Sequence, residues 1–304
     1  HKNYINLCKI NRKMNFSLPL ILLLITFVTG LFIAFLKPVE FLRWLQRGLI
    51  MISGFKLKHF PSKNGKVAYY EGGKGKTVVL IHGFMVDAGN WSSIAPKLIK
   101  KYHVIIPDLP GHGDSPWIQP ISLESIGEAI KDLLLDISED EPITLVGSSM
   151  GGGIAFRFAL DHPERVKNLI VINSAGIEWE IRKTMLLPEN RAEMEYKLQS
   201  IMGPTFKAPN FFLDAMLRQN RPEIEALFEE AVGNPKYYLD EELKDLKPKA
   251  HLLWGIHDCL FPMAFANKLT EIIPNYELIT FPKSAHVPHN TEPKAVIEYI
   301  LKLV

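Results

Sequence analysis

The stretch Ile143-Thr144-Leu145-Val146-Gly147-Ser148-Ser149-Met150-Gly151-Gly152-Gly153 decides how the rest of this chain is read. Its first four residues are apolar or β-branched and read as a buried strand. Ile154-Ala155-Phe156-Arg157-Phe158-Ala159-Leu160 follows and reads as a helix packed against a sheet. Between them lies Gly147-x-Ser149-x-Gly151. A turn this tight lifts the Ser149 hydroxyl above the sheet, and its glycines leave the backbone room on both sides. The motif carries weight only if a base and an acid follow further along the chain.

Both follow, in the order acid then base. Leu252-Leu253-Trp254-Gly255-Ile256-His257-Asp258 is an apolar strand running into a loop that ends on a carboxylate. Glu277-Leu278-Ile279-Thr280-Phe281 is another strand, and Pro282-Lys283-Ser284-Ala285-His286 carries it to an imidazole. Asn290 or Thr291 is expected to cap a last helix with Pro293 in its first turn. A serine hydroxyl needs a neutral imidazole to take its proton, and the carboxylate fixes the tautomer and stabilises the imidazolium. Ser149 is therefore assigned as nucleophile, His286 as base and Asp258 as the orienting acid. The chemistry also needs an oxyanion hole. Its donors are expected from the backbone N–H of Met150 and of Phe84, the latter after the strand Thr77–Ile81 and its His82-Gly83 continuation.

His82-Gly83-Phe84, Asp108-Leu109-Pro110-Gly111-His112-Gly113-Asp114-Ser115, Gly147–Gly152, Trp254–Asp258 and Ala285-His286 form one ordered set. The set resembles the α/β-hydrolase family, and within it the membrane-anchored monoacylglycerol lipase-like branch and similar bacterial lipases. The likeness spans about residues 56–304. It departs at Ala285, where the family commonly has glycine. It implies a mostly parallel sheet with helices on both faces and a helical cap, and a serine esterase that requires no cofactor or metal. Carbon–carbon bond hydrolases of ring-cleavage pathways share much of the pattern.

A chain of 304 residues with 47% hydrophobic content can bury a large core, and its formal net charge of +2 gives no global reason to expect nucleic-acid binding. Cys8 and Cys259 are the two cysteines, which leaves the globular part without an intrachain disulfide. Cys259 is read as a packed residue. Phe16 to Leu36 carries no charge, and at about 1.5 Å per residue it would span about 31 Å, the thickness of a hydrocarbon core. Residues 1–37 are thus expected to hold an uncleaved single-pass anchor (16–36), with Met14 a candidate start. A cleavable signal would have a shorter apolar core and a small-residue cleavage site. Residues 38–55, with Trp44 among Arg43 and Arg47, are expected to lie at the membrane interface, the alternative being a helix packed on the catalytic domain. The lysine and arginine bias slightly favours the cytoplasm for that domain.

Within 56–304, Lys56–Phe60 and Val67–Glu71 read as paired strands joined at Asn64-Gly65. Strands and helices then alternate through Tyr102–Pro107, Ser122–Ile137 and Val166–Asn173. From about 177 to 247 the pattern turns helical, the expected cap, and Met185-Leu186-Leu187 and Phe211-Phe212-Leu213 are candidates to line an acyl pocket. Gly72–Thr77 imitates a phosphate loop, but Tyr70 stands where the motif needs glycine. Asp108, His112 and Asp114 read as a hydrogen-bonded turn beside the site in preference to a metal centre. His82 reads as structural, His257 and His289 as surface or supporting residues, and Glu178 as the rival acid. The leading function is hydrolysis of lipid-like carboxylic esters such as mono- or diacylglycerols. The alternatives are a carbon–carbon bond hydrolase and a non-catalytic, membrane-tethered binding protein.

Overall fold

The structure is a computed structural model and describes residues 36–219 and 221–304. Eight strands form one sheet: β1 (Lys56–Ser62), β2 (Gly65–Gly72), β3 (Thr77–Ile81), β4 (His103–Pro107), β5 (Ile143–Ser148), β6 (Val166–Ile172), β7 (Ala250–Gly255) and β8 (Tyr276–Phe281). Their spatial order is β1-β2-β4-β3-β5-β6-β7-β8. β2 runs antiparallel to β1 and to β4, and every other pairing is parallel. A parallel strand needs a crossover, so helices cover both faces and the central strands lose contact with water. β5 and β7 are buried along their whole length, which is why they read as continuous apolar runs.

Each face of the sheet has its own apolar layer. Leu133, Phe156, Trp254 and Phe265 belong to one, and Ile50, Trp91, Leu98 and Ile300 to the other. The Leu123–Ile137 helix shows how sequence sets such packing. Ser122 caps it by accepting from Ser125 N–H, and Ile126, Ala129, Ile130, Leu133 and Leu134 make one buried stripe at helical spacing. Between β6 and β7 the described residues contain no strand. Helices at Lys183–Leu186, Arg191–Met202, Asn210–Leu217 and Pro222–Ala231 occupy this segment and are called the cap.

Several local expectations shift. The β1–β2 turn is Lys63-Asn64, because Ser62 pairs with Gly65. The Ser62 hydroxyl and Lys63 N–H both donate to Asp132, and Asn64 N–H donates to the Ser62 hydroxyl, fixing the turn one residue early. The last helix (Pro293–Leu303) starts after Glu292 instead of Asn290 or Thr291, since residues 288–291 make a separate short helix. Phe211–Leu213 does not line the catalytic cavity; Leu213 packs with Met194 and Leu198 inside the cap. Cys259 is exposed, not packed, and Cys8 lies outside the described residues.

The single-pass membrane location is not upheld. No helix among the described residues is long and apolar enough to cross a membrane, and of the expected span 16–36 only Leu36 is described. Pro38–Ile52 is a helix of 15 residues that packs on the turn Ala88–Trp91. Arg43 donates to the Met85 carbonyl, and Arg47 pairs with Asp114 and Asp87, so these arginines hold the helix to the catalytic domain. Its outer face leaves Leu42, Trp44, Leu45 and Ile52 exposed.

Close packing at the serine turn makes two glycines obligatory. A Cβ on Gly151 would stand 2.4 Å from the carbonyl oxygens of Ile81 and His82, and one on Gly147 would stand 2.3 Å from that of Gly151. Gly48, inside the Pro38–Ile52 helix, has open space instead. We expect Gly151→Ala to destabilise the protein by about 1–3 kcal/mol and Gly48→Ala to stabilise it by up to about 1 kcal/mol. Urea titration measures both, and equal effects would contradict this packing.

Candidate active site

The C-terminal ends of β5, β6, β7 and β8 are neighbours, and each delivers one part of the site. β5 ends at Ser148, and Ser149 takes φ 55 and ψ −123 before the Met150–Asp161 helix begins. This left-handed backbone is rare for a residue with a side chain and is held by surrounding bonds. Ser149 N–H donates to Ile172 O, and Ser149 O accepts from the N–H groups of Gly152 and Ala175.

β7 leads to Asp258, whose carboxylate is buried and fully hydrogen-bonded. Oδ1 accepts from Leu260 N–H at 2.7 Å and Phe261 N–H at 3.1 Å. Oδ2 accepts from Asn173 Nδ2 at 2.7 Å and from His286 Nδ1 at 2.7 Å. A buried carboxylate is tolerable only when its lone pairs are met in this way. The Nδ1–H bond leaves His286 Nε2 as the free lone pair, the tautomer a general base needs. No hydrogen bond among the described residues joins Ser149 Oγ to His286; such contacts commonly tighten only with substrate.

Asn173 was not foreseen as part of the site. It follows β6 with φ 41, a conformation asparagine tolerates, and is completely buried. Its Oδ1 accepts from Gly255 N–H while its Nδ2 donates to Asp258, so it ties β6 to the acid loop. The available signal was an asparagine directly after a buried strand next to the acid-bearing one. Glu178, the rival acid, is exposed, its N–H donates to Asp240, and no bond among the described residues joins it to His286.

The oxyanion region is shaped by His82. Its Nδ1–H donates to Gly83 O at 2.8 Å and its Nε2 accepts from Leu109 N–H at 3.0 Å, so the ring is neutral. In a trans peptide the carbonyl and the next N–H point opposite ways, so fixing Gly83 O turns Phe84 N–H away from His82. Gly83 itself lies against Ser149: a Cβ there would stand 2.9 Å from the Ser149 Cβ. Met150 opens its helix, where the first N–H groups lack intrahelical partners and the dipole is positive. Phe84 and Met150 both line the cavity that Ser149 faces.

That cavity, of about 330 Å³, runs along the Met150–Asp161 helix. Met150, Gly153, Ile154, Arg157 and Asp161 line it in turn, a path of about 17 Å. Leu186, Leu227 and Phe228 of the cap close it from above, so the first of the two proposed cap clusters reaches it through Leu186. Its walls are apolar near Ser149, and its far end is rimmed by the ion pairs Arg157–Asp161, Lys131–Glu128 and Lys236–Glu124.

The other singled-out residues have structural partners. Asp108 accepts from Ala88 N–H and Asp114 N–H, while Asp114 accepts from Tyr70 OH and pairs with Arg47, the arrangement of a bonded turn. Among the described residues no group of three His, Cys, Asp or Glu is placed to hold a metal. His257 is exposed and bonds to Pro282 O. His289 is buried on Trp91 and bonded to Asn90.

Matching against protein families finds the alpha/beta hydrolase fold over residues 76–221. The pimeloyl-[acyl-carrier protein] methyl ester esterase of Yersinia enterocolitica is 30% identical over 240 residues, covering 74% of this chain and 91% of that protein. A putative lipase of Acinetobacter baumannii superposes with a TM-score of 0.74 at 26% identity, covering 86% of this chain and 96% of the other. A bacterial membrane phospholipase A gives a TM-score of 0.74 at 25% identity, covering 94% and 96%. A sheet of this order, with a serine on the turn after β5 and a bonded Asp–His pair beyond it, defines a hydrolase scaffold. The chain belongs to the α/β-hydrolase fold family, and its relatives include esterases and lipases.

Burial also sets the acid sensitivity. It holds His82 down to about 4 and His112 and His289 down to about 3, against an ordinary 6.5. Their neutral forms stabilise the fold fully above pH 6.5, and that contribution is lost as pH falls toward those values. Asp108 acts in the opposite sense. Burial raises it to about 7 from 3.8, so its contribution is present below 3.8 and fades as pH rises through 7. Three groups outweigh one, so unfolding between pH 4 and 6.5 takes up about two protons from this set. The melting temperature should therefore rise across this interval, more shallowly in His289→Gln. A flat or falling profile would contradict the assigned neutral states.

Proposed function

We propose that this chain is a serine hydrolase of carboxylic esters, a lipase or esterase acting on mono- or diacylglycerol-like lipids through an acyl-enzyme. The carrying observation is the long apolar cavity that begins at Ser149 and follows the Met150–Asp161 helix for about 17 Å. A linear acyl group fits such a shape better than a compact polar substrate does. The likeness to an esterase and to lipase structures supports the same reading.

In this mechanism Ser149 Oγ attacks the ester carbonyl as His286 Nε2 takes its proton. The Phe84 and Met150 N–H groups receive the oxyanion of the tetrahedral intermediate. Collapse breaks the carbonyl–alkoxy bond, and the leaving alcohol takes the proton from His286. Water then gives a proton to His286 and attacks the acyl carbonyl, releasing the carboxylic acid and restoring Ser149. Asp258, oriented by Asn173, keeps His286 in the required tautomer throughout.

The test is a panel of p-nitrophenyl esters and acylglycerols run beside a ring-cleavage diketone. Long-chain esters should be turned over in preference to the diketone. Ser149→Ala and His286→Ala should each lower kcat by about 10⁴–10⁶, and His289→Ala by less than about tenfold. Turnover surviving Ser149→Ala would overturn the mechanism, and preference for the diketone would overturn the substrate class.

A further inference from the structure

A second cleft, of about 280 Å³, has Met85 in its wall, next in the chain to Phe84 of the first cavity. Arg43, Met85, Asp87, His112, Arg221 and Glu223 are among its walls. The catalytic mechanism uses none of them, and the features of the cleft are unusual for a purely structural junction.

The cleft is rich in unmatched donors. Arg43 uses one N–H on Met85 O, and Arg221 uses one on the Gln219 side chain. A guanidinium carries five N–H donors and stays charged. Lys197, buried behind the same loop, reaches the Met85 sulfur and Leu186 O. None of these three cations forms an ion pair among the described residues, although most other arginines here do. Of the neighbouring carboxylates, Asp87 is engaged by Gly89 N–H and Arg47, and Glu223 and Glu40 are exposed. Burial lowers both guanidiniums, with added repulsion from Arg47 on Arg43 and from Arg43 on Arg221, which is brought to about 10; burial with the Arg221 charge lowers Lys197 to about 8.

His112 supplies the second, independent observation. It is only 6% exposed, and its Nδ1–H donates to Pro110 O. Its Nε2 is buried without a partner. In this tautomer Nε2 is a hydrogen-bond acceptor, and His112 lines the same cleft as the two cationic forks. A ligand satisfying both must bring oxygens that accept from arginine and a hydroxyl that donates to imidazole. A singly protonated phosphate group has both, and bidentate guanidinium contacts suit its geometry. The start of the Pro222–Ala231 helix, with Glu223 and Ile224 in the wall, adds a favourable dipole.

We infer that this cleft is a phosphate-binding site, in which Arg43 and Arg221 hold the oxyanion and His112 Nε2 accepts its hydroxyl. The site begins one residue beyond the proposed oxyanion donor Phe84, a Cα step of about 3.8 Å. The phosphate comes either from the headgroup of an anionic acylglycerol, which rests on the ester-hydrolase reading, or from free phosphate.

Calorimetric titration of the full chain with inorganic phosphate tests the site without any turnover. One saturable site is expected, weakened at least tenfold by Arg221→Met and by Arg43→Met, with Arg221→Lys recovering only part because lysine lacks the fork. Melting temperatures identify folded variants; Arg221→Met, on the cap edge, carries the test if Arg43→Met does not fold. A second arm compares KM for a 1-acylglycerol 3-phosphate with KM for the 1-monoacylglycerol of the same chain. If the variants erase a preference for the phosphate ester and free phosphate competes with it, the headgroup is the source. If phosphate binds but the KM ratio is the same in wild type and variants, free phosphate is the source and the site stands. Absence of saturable phosphate binding by wild type, or equal affinity in wild type and folded Arg221→Met, overturns the site. Loss of all ester turnover with phosphate binding intact would sink the hydrolase reading alone.

Discussion

The Asp258 carboxylate is the constraint around which the catalytic end of this molecule is organised. A buried negative charge is costly, and four N–H donors from three different segments converge to offset that cost. Two are backbone groups of its own loop, one is Asn173 from β6, and one is His286 from beyond β8. Satisfying the charge therefore fixes the positions of the ends of β6, β7 and β8 together. The same bond that helps neutralise the carboxylate selects the His286 tautomer. In the proposed mechanism, structural necessity and catalytic orientation are one interaction.

On the other side, the sharp turn at Ser149 depends on close approach between backbone segments that side chains would block. Gly147 and Gly151 let the helix start directly on the strand end, which presents Met150 N–H where negative charge would develop. His82 performs a related task from β3 by holding the Gly83 carbonyl. These polar fixtures sit at the rim of a sheet whose faces are covered by two apolar layers. The layers supply rigidity, and the rim converts it into fixed positions for a few polar atoms. The cap contributes Leu186, Leu227 and Phe228 to the cavity wall, alongside residues of the Leu123–Ile137 and Met150–Asp161 helices.

The sheet and the proposed reacting residues were readable because their signals are local. An apolar run followed by a loop carrying Ser149, Asp258 or His286 can be recognised in a few residues, and the order of the three adds the rest. Asn173 was not readable in that way, since its role exists only where β6 lies beside the loop after β7. The cationic cleft was still less accessible: Arg43, His112, Lys197 and Arg221 are scattered over the chain and meet only in the fold. Arg47 misled for a similar reason. Beside Trp44 it read as a headgroup anchor, whereas its partners are Asp87 and Asp114 on distant loops. Composition alone made Phe16–Leu36 read as a membrane span, a reading that gains no support from any described helix. The shift of the hairpin turn by one residue came from Asp132, a helix residue distant in sequence that the turn dipeptide could not reveal.

The dependence of His286 on Asp258 is open to direct observation by proton NMR of the imidazole N–H region. A strongly hydrogen-bonded Nδ1–H should give a low-field resonance in the resting enzyme. The account predicts that this resonance is present in wild type, persists in His289→Ala, and is lost in both Asp258→Ala and His286→Ala. Its persistence in a folded Asp258→Ala protein would contradict the claim that this carboxylate holds the base.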